Sequence, residues 1–308
     1  MTYFSIIIPL YNKENFIENT IQSVLKQTFQ DFEIIIVDDG SQDKSAEKVK
    51  QLNDKRIQYY FKENEGVSSA RNFGIVKAKA NYITFIDADD YWYPNFLETM
   101  CQNIIQFPEQ KVFAAAIEIE TSKKTFPAQY SIQKTDENEL VNYFSASSKQ
   151  SVLCTSCAAF HKSVFEEIGA FDINIKSGQD TDLWIRIGLV YPILFSCKIL
   201  ARYVYAPESL SKNIKYSTRK LNFSKFKELE KTNPDLKKFL DLNRFSLAIK
   251  SKLINDNVSF DFYYKSINMV NLNLKKRILL HLPPFLLNGL IKIKIKLANI
   301  GLENSVFK

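Results

Sequence analysis

The feature that most restricts how this chain can fold is a recurrence near its start. Runs rich in β-branched and aromatic residues alternate with stretches whose apolar residues return at helical spacing. The first run, FSIIIPL at 4–10, has strand character, and Pro9 is tolerable near its end, where pairing stops. From Lys13 onward, Ile17, Ile21, Val24, Leu25 and Thr28 follow a helical period, with Asn12 placed as the N-cap. A second strand, EIIIV at 33–37, runs into Asp38, Asp39 and Gly40, and Ser41 is placed to cap a helix near Asp43 to Leu52. IQYYF at 57–61 is a third strand, Gly66 to Ala78 a third helix with Ser68 or Ser69 near its start, and Tyr82 to Ile86 a fourth strand. This order predicts a mostly parallel, doubly wound α/β sheet flanked by helices. Ligands of such sheets bind beyond the carboxyl ends of the strands. The polar clusters Tyr11-Asn12, Asp38-Asp39 and Asp87-x-Asp89 fall at those ends.

The rest of the chain bounds the function. Residues 110–205 mix strand-like runs (112–119, 152–160 and 193–205) with a helix near Asp180 to Leu189, and the weakly patterned 120–150 reads as a loop or lid. Cys154 and Cys157 form a lone C-x-x-C inside VLCTSCAAF, which reads as a buried strand, and His161 and His281 add little toward a zinc site. Core packing is the expectation there. The net charge of +7 hides an asymmetry: residues 212–308 hold 20 Lys+Arg and 7 Asp+Glu, a net of +13, against 21 and 27, a net of −6, in residues 1–211. The expected division is therefore a catalytic domain over 1–211 and a basic helical region over 212–308. Lys275, Lys276, Arg277, Lys292, Lys294 and Lys296 lie among leucines and isoleucines, the pattern of a helix on an anionic membrane surface. A helical bundle with a solvated basic face is the other reading, and IKIKIKL also alternates like a strand. No apolar run is long enough to predict a transmembrane helix. MTYFSIIIPLYN enters a strand-like run without a signal-peptide pattern, so the expected location is cytoplasmic, peripheral on the inner face of the membrane. No nucleic acid partner is expected.

The clusters carry chemistry. YITFIDADDYW leads a buried strand into Asp87, Asp89 and Asp90. Carboxylates that close repel unless water or a cation compensates them. Two carboxylates, two residues apart at a strand end, can hold Mg²⁺ or Mn²⁺ with positions left for phosphate oxygens; a hydrated turn is the plainer alternative. Asp39 can accept the N3–H of a uracil and Tyr11 can lay its ring on the base, although Asp-Asp-Gly-Ser also favours an ordinary turn into a helix. In GVSSARNFG, Gly66 permits close backbone approach, and Arg71 either pairs with phosphate or Asp39 or lies on a solvated helix face. In SGQDTDLWIRIG, Asp180 is placed as a general base or as a helix cap. Neither a G-x-G-x-x-G nor a P-loop pattern is present, which argues against dinucleotide dehydrogenases and P-loop enzymes.

Taken in order and spacing, IIIPLYN, IIIVDDGSQD, GVSSARNFG, YITFIDADDYW, IGAFD and GQDTDLWIRI resemble the inverting family 2 glycosyltransferases of GT-A fold, over about residues 3–211. The resemblance implies a nucleoside-diphosphate sugar donor, most often a UDP-sugar, with Pro9, Tyr11 and Asp39 on the nucleoside and Arg71 beside base or ribose. It places Asp87 and Asp89 at the first and last acids of the family's D-x-D, with the metal, and Asp180 at the catalytic base. It implies transfer with inversion to an acceptor hydroxyl, and the basic tail suits a glycan or lipid-linked oligosaccharide acceptor at the inner leaflet, in cell-surface polysaccharide synthesis. Two departures stand out. Gln179 replaces the acid that usually precedes the base. Val204 and Tyr205 stand where relatives carry a basic pair near the diphosphate, leaving Arg202 or a later lysine as the substitute. A sugar nucleotidyltransferase would need a glycine-rich basic loop after the first strand, which PLYNKENF lacks, and a D-x-D phosphatase would carry its acids there. The remaining alternative is a degenerate GT-A-fold scaffold at the membrane, against which the intact Asp39, Asp89 and Asp180 argue.

Overall fold

The computed structural model describes residues 2–132, 138–204 and 222–299. The chain divides into two compact units, one of residues 1–146, 150–175 and 179–206, the other of 147–149, 176–178 and 207–308. The expected boundary at 211/212 lies outside the described residues.

The first unit opens with β1 (Phe4–Leu10), α1 (Ile17–Leu25), β2 (Phe32–Asp38), α2 (Ser45–Lys50), β3 (Ile57–Phe61), α3 (Val67–Lys77) and β4 (Tyr82–Phe85). β5 (Tyr91–Trp92), α4 (Phe96–Gln106), β6 (Val112–Glu120), β7 (Thr125–Pro127), β8 (Asn138–Val141) and α5 (Tyr143–Ala146) follow. It closes with β9 (Ala158–His161), α6 (Ser163–Ile168), α7 (Gln179–Val190) and β10 (Ile193–Tyr203). The strands form one sheet in the order β3-β2-β1-β4-β9-β6-β10-β5, with β7 beside β6 and β8 beside β10. β3, β2, β1 and β4 are mutually parallel, as the helical crossovers between them require. β9 runs antiparallel to both neighbours, and β10 is parallel to β6. The sheet is thus parallel where the strand-helix alternation is regular and mixed beyond it.

β1 is buried on both faces, which explains its unbroken apolar sequence. Phe4, Ile6, Ile8 and Leu10 join Ile17, Ile21 and Val24 of α1 in one core. On the other face α3 closes on Ile7 through Gly74, where an added Cβ would stand 2.4 Å from Ile7 Cγ2. Gly74→Ala is therefore expected to destabilise by about 1–3 kcal/mol from overpacking, reduced by the roughly 1 kcal/mol that alanine gains in a helix. A lowered midpoint in chemical denaturation checks this; an unchanged one would mean that α3 shifts at no cost. Pro9 costs the sheet little. The Leu10 carbonyl accepts from Asp39 on the β2 side and the Ile7 carbonyl from Ile86 on the β4 side, so the missing N–H of Pro9 faces β4 beyond the end of their pairing.

Some local expectations change. Asn12 does not cap α1; it has a φ of 49° and bridges to the next loop, its N–H donating to Ser41 Oγ and its Oδ1 accepting from Gln42. Ser41 is thereby occupied and does not cap α2, which lacks a side-chain cap. Residues 152–160 do not form one strand. A 3₁₀ turn at Thr155–Cys157 precedes β9 because Ser156 is tied on both sides, its hydroxyl to Asp90 and its carbonyl to Trp92 Nε1. Cys157 is buried and all four cysteines are free. The segment read as a loop or lid contains β7, β8 and α5, with 133–137 outside the described residues.

The second unit is helical. α8 (Pro234–Leu253), α9 (Asn257–Lys265), α10 (Leu274–His281) and α11 (Pro284–Asn299) make it up, with short turns between. Asn233, Asp256 and Asn273 cap the first three, each side chain accepting a backbone N–H. α8 contacts each of the others and buries Leu236, Phe239, Leu240, Leu247 and Ala248. The IKIKIKL segment is helical, within α11. Among the described residues no helix is long and apolar enough to cross a membrane.

Candidate active site

The carboxyl ends of β1, β2 and β4 bring three polar tips to one edge of the sheet. At the β2 tip the two aspartates divide the work. Asp38 holds the turn, accepting from the Ser41 N–H at 2.8 Å and the Tyr59 hydroxyl at 2.7 Å. Asp39 holds the loop that leads into α3. Its Oδ1 accepts from Lys62 Nζ at 2.8 Å and the Glu65 N–H at 3.1 Å, and its Oδ2 from the Gly66 N–H at 2.7 Å. Gly66 has a φ of 98°, a left-handed conformation that suits glycine and lets the backbone turn its N–H onto the carboxylate. At the β1 tip Pro9 is buried in the strand, whereas Tyr11 leaves 45% of its surface exposed, a free flat ring beside that edge.

The β4 tip answers the question raised by its three acids: each is neutralised differently. Arg71, on α3, donates from Nη2 to Asp87 Oδ1 at 2.7 Å and from Nη1 to Asp180 Oδ1 at 2.6 Å. Thr155 donates to the other Asp87 oxygen at 2.9 Å. Lys13 sits on Asp89, Nζ to Oδ2 at 2.5 Å. Asp90 is buried without a cation and accepts from the Ser156 hydroxyl and the Val204 N–H. Burial, then repulsion from Asp87 and Asp89, pushes its carboxyl well above the ordinary range. The hydrogen bonds from the Ser156 hydroxyl and the Val204 N–H oppose that rise in part.

Arg71 is almost wholly buried and lies over the Phe171 ring at 5.1 Å. Its two Nη groups join the D-x-D acid to the candidate base on α7, so one guanidinium fixes Asp87 and Asp180 side by side. The Asp180 carboxyl is displaced upward, by burial first and by Asp87, against the opposing pull of Arg71. It keeps 38% of its side-chain surface open, so water and Arg71 both limit that push. Its second oxygen has no protein partner among the described residues. In the site, Arg71 Nε and, next to Asp180, Gln179 Oε1 are also buried without partners among the described residues. Each such atom costs about 1–3 kcal/mol, a cost that a bound polar substrate can remove.

The sequence-predicted residues therefore separate into groups. Asp87, Arg71 and Asp180 are joined directly. Asp89 is joined to Lys13, and Asp39 to Lys62 rather than to Arg71. Lys13, Lys62, Thr155 and Ser156 were not singled out by the motifs, and Asp90 was named there without a role. The first two had a signal, since PLYNK and QYYFK place a lysine just beyond a strand end. Arg202 does not point its charge at the site: Nε donates to Glu118 at 2.7 Å, Nη2 to the Tyr93 hydroxyl at 2.7 Å, and Glu120 lies 3.6 Å from Nη1. Tyr205 lies outside the described residues.

Among the described residues no three acid, histidine or cysteine side chains gather into a metal cage. What the site offers is two carboxylates, Asp87 and Asp89, the latter with one oxygen lacking a protein partner. That fits an ion such as Mg²⁺, which is commonly held by one or two carboxylates, with water and substrate phosphates completing its shell. Lys13 is the group that must yield at Asp89.

The sequence model described as Glycosyl transferase family 2 matches residues 5–169. An uncharacterized glycosyltransferase of Rickettsia bellii is 36% identical over 200 residues, covering 59% of this chain and 26% of its own length. The uncharacterized glycosyltransferase RC0461 of Rickettsia conorii is 32% identical over 225 residues, 72% of this chain and 37% of its own. The chain thus spans about a quarter to two fifths of the length of these two relatives. Among solved structures, S. aureus TarS 1-349 in complex with UDP aligns with a TM-score of 0.59 at 20% identity, covering 86% of this chain and 89% of that one. The complex of TarS 1-349 with UDP-GlcNAc aligns at 0.60 and 19% identity, covering 91% and 78%. At such identity the likeness shows the shared fold, the GT-A fold expected from the motifs.

Proposed function

The chain belongs to glycosyl transferase family 2, and from that premise we propose that it transfers a sugar from a UDP-sugar to an acceptor hydroxyl with inversion at the anomeric carbon. The observation that carries this reading is the Arg71 bridge, which sets a base candidate beside the acids of the donor side. Asp180, ionised against Arg71 and with one oxygen without a protein partner, accepts the proton of the incoming hydroxyl. The acceptor oxygen then attacks the face of the sugar opposite the diphosphate. Asp39 and Tyr11 take the uracil, by an N–H···O bond and by ring contact. The TarS complexes with UDP and UDP-GlcNAc, on the same fold, support that choice of nucleotide. Asp87 and Asp89 would hold Mg²⁺ or Mn²⁺, which supplies positive charge to the leaving diphosphate. Lys13, freed from Asp89, then offers its ammonium to a phosphate oxygen, the role that Val204 cannot fill and that Arg202, engaged by Glu118, does not. Positioning both substrates on one rigid edge supplies a large further share of the rate.

The acceptor in this reading is a glycan or a lipid-linked oligosaccharide at an anionic membrane surface, in cell-surface polysaccharide synthesis. Support comes from the charge division of the chain, +13 over residues 212–308. Asp89→Ala is expected to weaken UDP binding in the presence of Mn²⁺ by at least about tenfold, or about 1.4 kcal/mol, and to leave binding with chelator unchanged or improved, because Lys13 is released. Calorimetry with and without Mn²⁺ measures both. Equal Mn²⁺-dependent affinity in the variant and the parent would remove Asp89 from the donor site.

A further inference from the structure

The last two described helices, α10 and α11, are built inside out for a solvated bundle. On α10, Leu280 packs inward, while Leu274 and Ile278 occupy the middle of the opposite face, Leu274 leaving 73% of its surface bare. Lys275 and Arg277, both exposed, border that strip on its two sides. α11 repeats the arrangement. Leu287 is its inward anchor, at 2% exposure, and the outward face carries Phe285, Leu286, Leu290 and Ile293, with Phe285 72% exposed and Lys292 at the border. A helix that only decorates a bundle turns its charged residues outward and its leucines inward. Here apolar side chains with cations on their flanks point away from the protein on two successive helices, joined through Pro283 and Pro284.

We propose that α10 and α11 form a docking face for an anionic lipid bilayer. Leu274, Ile278, Phe285, Leu286, Leu290 and Ile293 enter the boundary between headgroups and acyl chains, and Lys275, Arg277 and Lys292 pair with lipid phosphates. The occupant is argued from complementarity. An apolar strip alone would suit a second protein as well, but cations along its borders, on a unit with a large positive charge, suit a surface that is apolar within and negative at its rim. This deepens the membrane part of the reading above and stands apart from the chemistry, since attachment needs neither donor nor acceptor.

The test is flotation of the full chain with vesicles of phosphatidylcholine alone and of phosphatidylcholine mixed with phosphatidylglycerol. The mixed vesicles are expected to carry the protein and the neutral ones to leave it behind. Phe285→Ser with Leu290→Ser is expected to abolish flotation, and Lys275→Gln with Lys292→Gln to weaken partition about thirtyfold. All four positions are exposed, so UDP affinity should match the parent in both variants and serves as the folding control. As an independent measurement, a Phe285→Trp chain should show a blue-shifted emission on mixing with anionic vesicles. Three results would overturn the proposal: no flotation of the parent at moderate salt, flotation undiminished in the serine variant, or self-association in solution that the serine changes remove. The last would make the face an interface between copies of the chain. Loss of flotation with sugar transfer intact, or the reverse, separates this inference from the catalytic one.

Discussion

Asp180→Asn is expected to lower the rate of sugar transfer by about 10²–10⁴-fold, the usual worth of a general base, with UDP affinity changed little. The asparagine keeps the size of the side chain and an oxygen for Arg71 Nη1, so the α7 terminus and the Asp87 pair stay in place. What it loses is the capacity to take a proton. Single-turnover transfer measured beside UDP calorimetry separates the two effects. The pH profile adds a signature. Burial lifts the Asp180 carboxyl above its ordinary range, and the base works only when ionised. The parent rate should therefore fall on the acid side as pH drops through that raised value, and the acid limb should vanish in the variant. A variant with parental turnover would take Asp180 out of the reaction.

Arg71→Met should have the largest effect on stability. It removes the one cation shared by two carboxylates in a site from which the guanidinium itself is almost excluded from water. Breaking a buried ion pair from one side costs about 3–5 kcal/mol, because the remaining charges keep their desolvation and lose their attraction. Asp87 and Asp180 would then repel, and Asp180 should take up a proton more readily. Urea denaturation should show an unfolding free energy lower by that amount near neutral pH and by less in acid, where Asp180 is neutral. Adding Asp180→Asn to Arg71→Met should recover part of the loss, since one of the two stranded charges is gone. Strict additivity of the two changes would mean that the pair does not communicate.

How much of this was legible in the sequence follows from how local each feature is. β1 to β4 and their crossovers could be read because a strand buried on both faces needs an unbroken apolar run and a crossover helix needs its own period. Asp38 and Asp39, Asp87 and Asp89, and Asp180 could be found because acids directly after buried strands or at a helix start are conspicuous. Their partners could not. Arg71 is held by residues 16 positions and 109 positions away, and nothing on α3 distinguishes it from an arginine in solvent. Asp90 looks like Asp89 in the sequence; only folding sends one to Lys13 and the other to Ser156. Asn12 has the chemistry of a cap, but the contact with the 41–42 loop outcompeted the helix for it. Residues 152–157 were misread for the same reason: their apolar pattern suits a strand, while the geometry is dictated by Trp92 and Asp90 from elsewhere in the chain.

In the proposed donor site, the near-saturation of Asp39 sets a rule for which bases are expected to settle there. A carboxylate offers about four acceptor positions, and three are already spent on Lys62, Glu65 and Gly66. One vacancy remains, on Oδ2, and it takes a single hydrogen. The imide of uracil brings one. The corresponding ring nitrogen of neutral cytosine brings an electron pair to an oxygen that is already negative, so on the proposed reading cytidine nucleotides are expected to bind more weakly than uridine nucleotides, without any steric wall.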